Sequence, residues 1–294
     1  PGIGEIDLLC EILRPDVAVI LNVFPVHLEF LKNLDNVSRA KSEILNYLNG
    51  DDIAFITGDS PHILNKANLK KGRKVFFGRN ETTNDIILKE ITRNKHKTKM
   101  EINFFGIESS FETSVINRIH LENLFAAIII SQHLGMKNSE IQEALKKIQP
   151  LSGRGEIKHL ENFTIIDETY NSNPEALKKS LDWVDKEYKG MKIAVLGDML
   201  ELGEEEEQYH KRVGQFFAEL NYDYLITIGE RATKIADGAI KNGYLARKIK
   251  RFTHPEEAGG YIKEIAKVGS IILFKASRAI QLEKVIEEFL SKNK

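Results

Sequence analysis

Apolar residues recur along this chain in two rhythms. Short continuous runs, VAVILNV at residues 17–23 and IAFIT at 53–57, have the length and β-branched content of strands buried on both faces. Longer stretches repeat apolar residues every three or four positions, as helices do: residues 6–13, stopped by Pro15, and residues 37–48. Val75, Phe76 and Phe77 suggest a third strand. From about Asp85 to Ile116 the pattern alternates without helical period, which predicts an antiparallel hairpin or meander. Residues 121–134 are apolar on nearly every side and predict a buried helix, and residues 139–148 a shorter one.

The segment PLSGRG at 150–155 reads as a linker, dividing the chain into regions 1–152 and 153–294. Beyond it the alternation is more regular. Strands are expected at 163–166, 193–196, 224–228 and 271–274, with a weaker one at 249–252. One intervening helix aligns Tyr209, Val213, Phe216, Phe217 and Leu220, and the last aligns Leu282, Val285, Ile286, Phe289 and Leu290. The acidic run 204–207 suits the opening of a helix, where the dipole favours negative charge. Strands separated by helices of this length imply an α/β fold with a doubly wound, mostly parallel sheet.

Composition narrows the partners. The chain has 294 residues, 42% of them hydrophobic, enough for two packed cores. Lys and Arg number 42 against 43 Asp and Glu, a balance that gives no reason to expect nucleic acid or an anionic membrane. Cys10 is the single cysteine, so no internal disulfide can form, which fits a reducing cytoplasm. No apolar run approaches the ~18 residues of a membrane span, and no secretory signal is visible. The chain begins at Pro1 within what reads as a loop before a helix, and is expected to be a fragment.

In doubly wound sheets ligands bind beyond the carboxyl ends of the strands, and four segments fall there. In NVFPVHLE (22–29), His27 could ligate a metal or contact a phosphate, with Glu5 as a second ligand; equally, His27 could be a hydrogen-bonded loop residue and Glu5 part of a helix cap. DETYNSNP (167–174) packs two acids, a tyrosine and two asparagines into one strand-to-helix connection, and Asn173-Pro174 also makes a good helix start. GDMLELG (197–203) can be read as a loop burying one Met and one Leu. KASR (275–278) could hold a carboxylate or phosphate, or be a basic surface turn. Lys41, inside the expected helix 37–48, is by spacing alone a solvated charge. No Gly-Lys dipeptide occurs, so a glycine-rich phosphate cradle of the usual kind is not among these residues.

Taken in order, GEI at Gly4, NVFPVHLE, AKSEI at Ala40, HLENLFAA at His120, GRGE at Gly153, DETYNSNP, LGDMLELG at Leu196 and KASR resemble the Mur ligase family, from Gly4 to about Glu287. The YNSNP and GDMLELG segments resemble its F-type branch most. The resemblance implies part of a central ATP-binding domain (1–152) followed by a Rossmann-like C-terminal domain (153–294), with the phosphate loop upstream and this chain alone inactive. It implies ATP-dependent amide formation, adding D-alanyl-D-alanine to UDP-N-acetylmuramoyl-tripeptide through an acyl phosphate, in the cytoplasm and by a monomer. It further implies Mg2+ ligation by Glu5 and His27 and by Lys41 if carbamylated, His27 and Lys41 thus belonging to the catalytic set. ATP contacts are implied at Asn123, Arg154, Asp167 and Glu168. Substrate contacts are implied at Tyr170, Asn171, Asn173, Lys275, Ser277 and Arg278. Three positions depart from the family's usual pattern: Glu168 stands for Asp, Leu121 for Asn and Ala276 for Gly. Alternatives are an E-type or folylpolyglutamate synthase-like ligase, or a non-catalytic binding module of the same fold.

Overall fold

The computed structural model describes residues 2–68, 72–93, 97–115 and 118–291. The chain divides into two units, Pro1–Gln149 and Pro150–Lys294. Pro1 and Ile116, which bounded two of the sequence expectations, lie outside the described residues.

The first unit runs α1 (Glu5–Leu13), β1 (Val17–Ile20), α2 (Leu28–Leu31), α3 (Leu34–Ser42), β2 (Ile53–Thr57), α4 (Pro61–Asn68), β3 (Arg73–Gly78), β4 (Ile86–Arg93), β5 (Thr98–Phe104), β6 (Ile107–Thr113), α5 (Arg118–His133) and α6 (Asn138–Leu145). Its six strands form one sheet in sequence order. β1 to β4 pair in parallel, with Val17 opposite Ile53 and Ile53 opposite Arg73. β4, β5 and β6 then fold back as an antiparallel meander, as the alternating pattern predicts. Phe55, Phe77, Met100 and Phe111 bury against Leu121, Phe125, Ile128 and Ile129 of α5 and against Ile141 and Leu145 of α6.

Three expectations change here. The helix expected over 37–48 starts at Leu34, capped by the Asn33 side chain, and gives way after Ser42 to a 3-10 turn over Glu43–Tyr47. The strand expected to reach Val23 ends at Ile20, so Asn22 and Val23 belong to the connection that carries His27. α5 is not buried all round: Asn123 and Ala127, one turn apart, are exposed, and Leu134 just beyond it is 68% exposed. The sheet covers one side of this helix, so an apolar composition does not by itself bury every face.

The second unit runs β7 (Glu156–His159), β8 (Phe163–Glu168), α7 (Pro174–Glu187), β9 (Lys192–Gly197), α8 (Glu206–Ala218), β10 (Tyr224–Ile228), α9 (Thr233–Lys241), β11 (Ile249–Phe252), α10 (Ala258–Ile265), β12 (Ser270–Lys275) and α11 (Glu283–Leu290). The sheet order is β11-β10-β9-β12-β8-β7, parallel except for the edge strand β7, which pairs antiparallel with β8. Alternate strand residues (Ile165, Val195, Ile226, Ile272, Phe274) pack with Ile262, Val285, Ile286 and Phe289 of α10 and α11. Gly214 and Gly238 bring α8 and α9 together: a Cβ on Gly214 would lie 1.9 Å from the Ile235 carbonyl oxygen. β12 inserts between β8 and β9, so the carboxyl ends of these three strands, each followed by a motif segment, meet at one edge. Among the described residues no helix is long and apolar enough to cross a membrane.

Candidate functional site

In the second unit the acidic pair is not in a loop, as expected, but closes β8: Asp167 and Glu168 are its last residues, 3% and 4% exposed. Burying two adjacent carboxylates requires partners for both, and alternation along the strand sends them to different ones. Asp167 Oδ1 accepts from the backbone N–H of Thr169 at 3.1 Å and from its hydroxyl at 2.7 Å. Its other oxygen lies 3.8 Å from Lys158 Nζ on β7. Glu168 accepts from Ser180 Oγ of α7 at 2.5 Å and pairs with Lys275 Nζ, the end of β12, at 2.9 Å. The same ammonium donates to the Asn171 carbonyl at 3.1 Å. KASR is therefore not a basic surface turn at its first residue: Lys275 is buried and ties two segments together.

The rest of this edge is built by backbone. Ser277 N–H donates to the Asp198 carbonyl at 3.0 Å, and Ser277 Oγ accepts the Leu200 N–H at 2.9 Å, which fastens KASR to GDMLELG. The Tyr170 N–H donates to the Gly153 carbonyl at 3.0 Å and the Gly155 N–H to the Asp167 carbonyl at 2.8 Å, which fastens GRGE to DETYNSNP. Gly153 sits at φ +72°, and a Cβ there would lie 3.2 Å from both Thr169 Oγ1 and Tyr170 N, so the close approach needs glycine. The Arg154 guanidinium stacks 3.7 Å over the exposed Tyr170 ring.

Other expected contacts are partly engaged elsewhere. Asn173 Oδ1 caps α7 by accepting the Ala176 N–H at 2.9 Å, with Pro174 opening the helix. Asn171 Oδ1 accepts the Ser172 N–H, and Arg278, exposed, pairs with Glu283 at 2.8 Å. His210 was not singled out from sequence. It is fully buried on α8 and its Nε2 accepts the Met199 N–H at 3.0 Å. Asp198 is also buried; it accepts the Ala232 N–H at 2.6 Å, and burial raises its carboxyl above the ordinary range.

In the first unit, Glu5 opens α1 and His27 sits at φ +54° ahead of α2, its carbonyl accepting the Leu31 N–H at 2.8 Å. A non-glycine residue held in the left-handed region is strained, and such strain concentrates at functional positions. His27 is half-buried. Lys41 lies in the last turn of α3, and burial pushes its ammonium below the ordinary lysine range. Glu43, unremarked in the sequence reading, joins these segments. Its carboxylate accepts the Gly4 N–H at 2.8 Å and the Asp7 N–H at 3.1 Å, satisfying the open amino end of α1 from 36 to 39 residues away. Asn123 stands on the exposed side of α5.

Comparison with known proteins agrees with this geometry. The Mur ligase middle domain matches residues 1–131, and the Mur ligase glutamate ligase domain matches residues 153–278. The chain belongs to the Mur ligase family. Among curated Mur ligases, the UDP-N-acetylmuramoyl-tripeptide–D-alanyl-D-alanine ligase of Bacillus subtilis is 32% identical over 289 residues, covering 98% of this chain and 62% of the relative. The enzyme of the same name from Rickettsia prowazekii is 28% identical, covering 97% of this chain and 64% of its own length. The crystal structure of MurF ligase from Thermotoga maritima in complex with ADP superposes with a TM-score of 0.84 at 29% identity, covering 98% of this chain and 64% of that one. The chain thus spans less than two thirds of the Mur ligases it matches. The fold class implied by the sequence, two α/β domains of this family, holds.

The three departures from the family pattern have local accounts. Glu168, one methylene longer than Asp, reaches both Ser180 and Lys275. Leu121 is fully buried in the core of the first unit. The Ala276 methyl fills space left by Gly197, where a Cβ would approach it to 2.6 Å.

Proposed function

We propose that this chain is the central and C-terminal part of an F-type Mur ligase, which joins D-alanyl-D-alanine to UDP-N-acetylmuramoyl-tripeptide at the cost of ATP. The reaction serves peptidoglycan synthesis, and through it cell shape and division. What carries this reading is the fastening of three motif segments at one sheet edge: DETYNSNP to KASR by the buried Glu168–Lys275 pair, and KASR to GDMLELG by Ser277. The names borne by the relatives support the same assignment. We place the enzyme in the cytoplasm, acting as a monomer.

A carboxylate is a poor acyl donor. A terminal carboxylate oxygen of the tripeptide attacks the γ-phosphorus of ATP, ADP leaves, and the amine of D-alanyl-D-alanine attacks the acyl carbon. The tetrahedral adduct collapses with loss of inorganic phosphate and of the amine's proton. Negative charge moves from phosphoryl oxygens to a tetrahedral oxyanion, so fixed cations and donors lower the barrier. In the second unit Arg154, Asp167 and Glu168 are assigned nucleotide contacts; in the first unit Asn123 is assigned one. Tyr170, Asn171, Asn173, Lys275, Ser277 and Arg278 are assigned to the substrate side. Asn173 and Lys275 act there by shaping the connection, since their polar atoms already hold α7 and Glu168.

Mg2+ is assigned to the first unit. Among the described residues no group of three His, Cys, Asp or Glu is placed to hold a metal ion by itself. Glu5 and His27 with a carbamylated Lys41 would offer an open set, which suits an ion that keeps waters and phosphate oxygens in its shell. When bound, Mg2+ would neutralise charge on the transferred phosphoryl group. A lysine reacts with CO2 only as the neutral amine, and the partly buried Lys41 is favoured for that state.

The test is phosphate release by the complete ligase with ATP, Mg2+ and UDP-N-acetylmuramoyl-tripeptide. Release that depends on D-alanyl-D-alanine, with formation of the pentapeptide product, is expected. Release driven instead by a single amino acid would mark another ligase of the family, and none with any amine would mark a binding module.

A further inference from the structure

The GDMLELG connection is held in an unfavourable backbone path. Glu201 lies at φ +63° and Gly203 at φ +67°, so this loop turns twice through the left-handed region. Two of its three apolar side chains, Met199 and Leu202, are buried at 0% and 2% exposure. Between them, two side chains from other elements pin its backbone. Ser277 Oγ accepts the Leu200 N–H from one side at 2.9 Å. From the other, His210 Nε2 accepts the Met199 N–H at 3.0 Å.

The two backbone partners of His210 dictate its state. Its Nδ1 lies 2.8 Å from the Glu206 carbonyl oxygen, one turn earlier on α8. A carbonyl can only accept, so Nδ1 carries the proton; Nε2 faces an N–H, so it presents its lone pair. The neutral Nδ1–H tautomer alone satisfies both. Protonating Nε2 would turn the acceptor of Met199 into a second donor aimed at the same hydrogen. The charged groups that act on the ring are Asp198, Glu206 and Arg231; burial, aided by Arg231, outweighs the two carboxylates and the bond to the Glu206 carbonyl in keeping it neutral.

We infer that His210 is a positioning residue for amide formation: as a neutral acceptor it holds the 198–203 loop against the Lys275–Ser277 segment, at the strand edge where the incoming amine is bound. This inference rests on the functional reading above. The loop leaves β9 beside β12, and ligands of such sheets bind at that edge. A residue that only filled the core could be apolar; this one is a ring whose two polar atoms are both spent on backbone.

The experiment compares His210→Leu, His210→Asn and His210→Gln in the complete ligase. Gln can still present an oxygen to the Met199 N–H. Asn reaches only as far as the Nδ1 position, and Leu offers nothing. Loss of one buried acceptor is expected to raise the KM for D-alanyl-D-alanine about tenfold in the Leu and Asn variants, with the KM for ATP unchanged. Amide exchange at Met199 and Leu200, followed without substrate, is expected to speed up about tenfold in the same two variants. His210→Gln should restore both. If the Leu variant does not fold, the Asn and Gln pair decides alone. A lowered melting temperature with amine KM and amide exchange both unmoved would reduce His210 to a packing residue and overturn the inference. Failure of the wild-type ligase to use this amine would refute the functional reading instead, and the substrate-free exchange comparison separates the two failures.

Discussion

Replacing Lys275 by Met tests whether the buried pair at the strand edge holds the second unit together. Met keeps most of the volume of the Lys stem and removes the ammonium, so the cavity term is small. What remains is Glu168, 4% exposed, still accepting from Ser180 Oγ at 2.5 Å. The Asn171 carbonyl also loses its 3.1 Å donor. Breaking a buried pair by removing one partner costs about 3–5 kcal/mol, chiefly because a charge is left uncompensated. The retained serine places Lys275→Met near 3 kcal/mol, at the lower end of that range. Pairing it with Glu168→Gln removes the stranded charge while keeping an acceptor for Ser180. The double variant should therefore be destabilised by only about 1 kcal/mol, the net worth of ordinary hydrogen bonds. Urea unfolding followed by fluorescence reads this directly, because Trp183, the only tryptophan, is buried in α7 of the same unit. A Lys275→Met loss below about 1 kcal/mol, or a double variant worse than the single, would refute the claim that the charge pair is the binding element here.

Lys41→Ala in the complete ligase should nearly abolish ligation, and added acetate or formate should partly restore it by replacing the carbamate oxygens; normal activity with no response to carboxylate would contradict the Mg2+ role. Asn173→Ala removes the α7 cap and should cost about 1 kcal/mol of stability, read from the shift of the urea midpoint. If Asn173 acts only by shaping the connection, kcat should survive where the fold does. Stability should also fall with acid through His210. Its folded pKa is lowered from the ordinary 6.5, so below that pH the unfolded chain binds the extra proton and stability declines as pH drops, by at most about 1.4 kcal/mol per pH unit. Asp198, raised by burial, works oppositely at lower pH, so the slope should be read just below pH 6.5, where His210→Gln should flatten it.

Strand positions were the most legible feature of this chain. The runs at 53–57 and 224–228 match β2 and β10 residue for residue, because a strand buried on both faces must be almost continuously apolar. The weaker run at 249–252 matches β11, an edge strand whose Lys250 and Arg251 are exposed. The α7 start was legible for a similar local reason: Asn173 and Pro174 supply the cap and the first turn without help from elsewhere. Sequence motifs also pointed to the family and to Lys275 and Ser277. What they could not supply was direction and partner. Whether Lys275 faced solvent or Glu168 depended on β12 inserting beside β8, 107 positions away in the chain (275 minus 168), which no local period encodes. The helix expected through residue 48 changes character at Glu43, the residue whose carboxylate serves the amino end of α1. His210 was not singled out from the sequence; its Nδ1 meets the Glu206 carbonyl of its own helix, but only the path of the 198–203 loop brings the Met199 N–H to its Nε2. Local pattern decides which segments become strands and helices, since it needs only neighbours along the chain. Long-range hydrogen bonds decide the site, because a buried polar atom must be satisfied by whatever the fold brings to it.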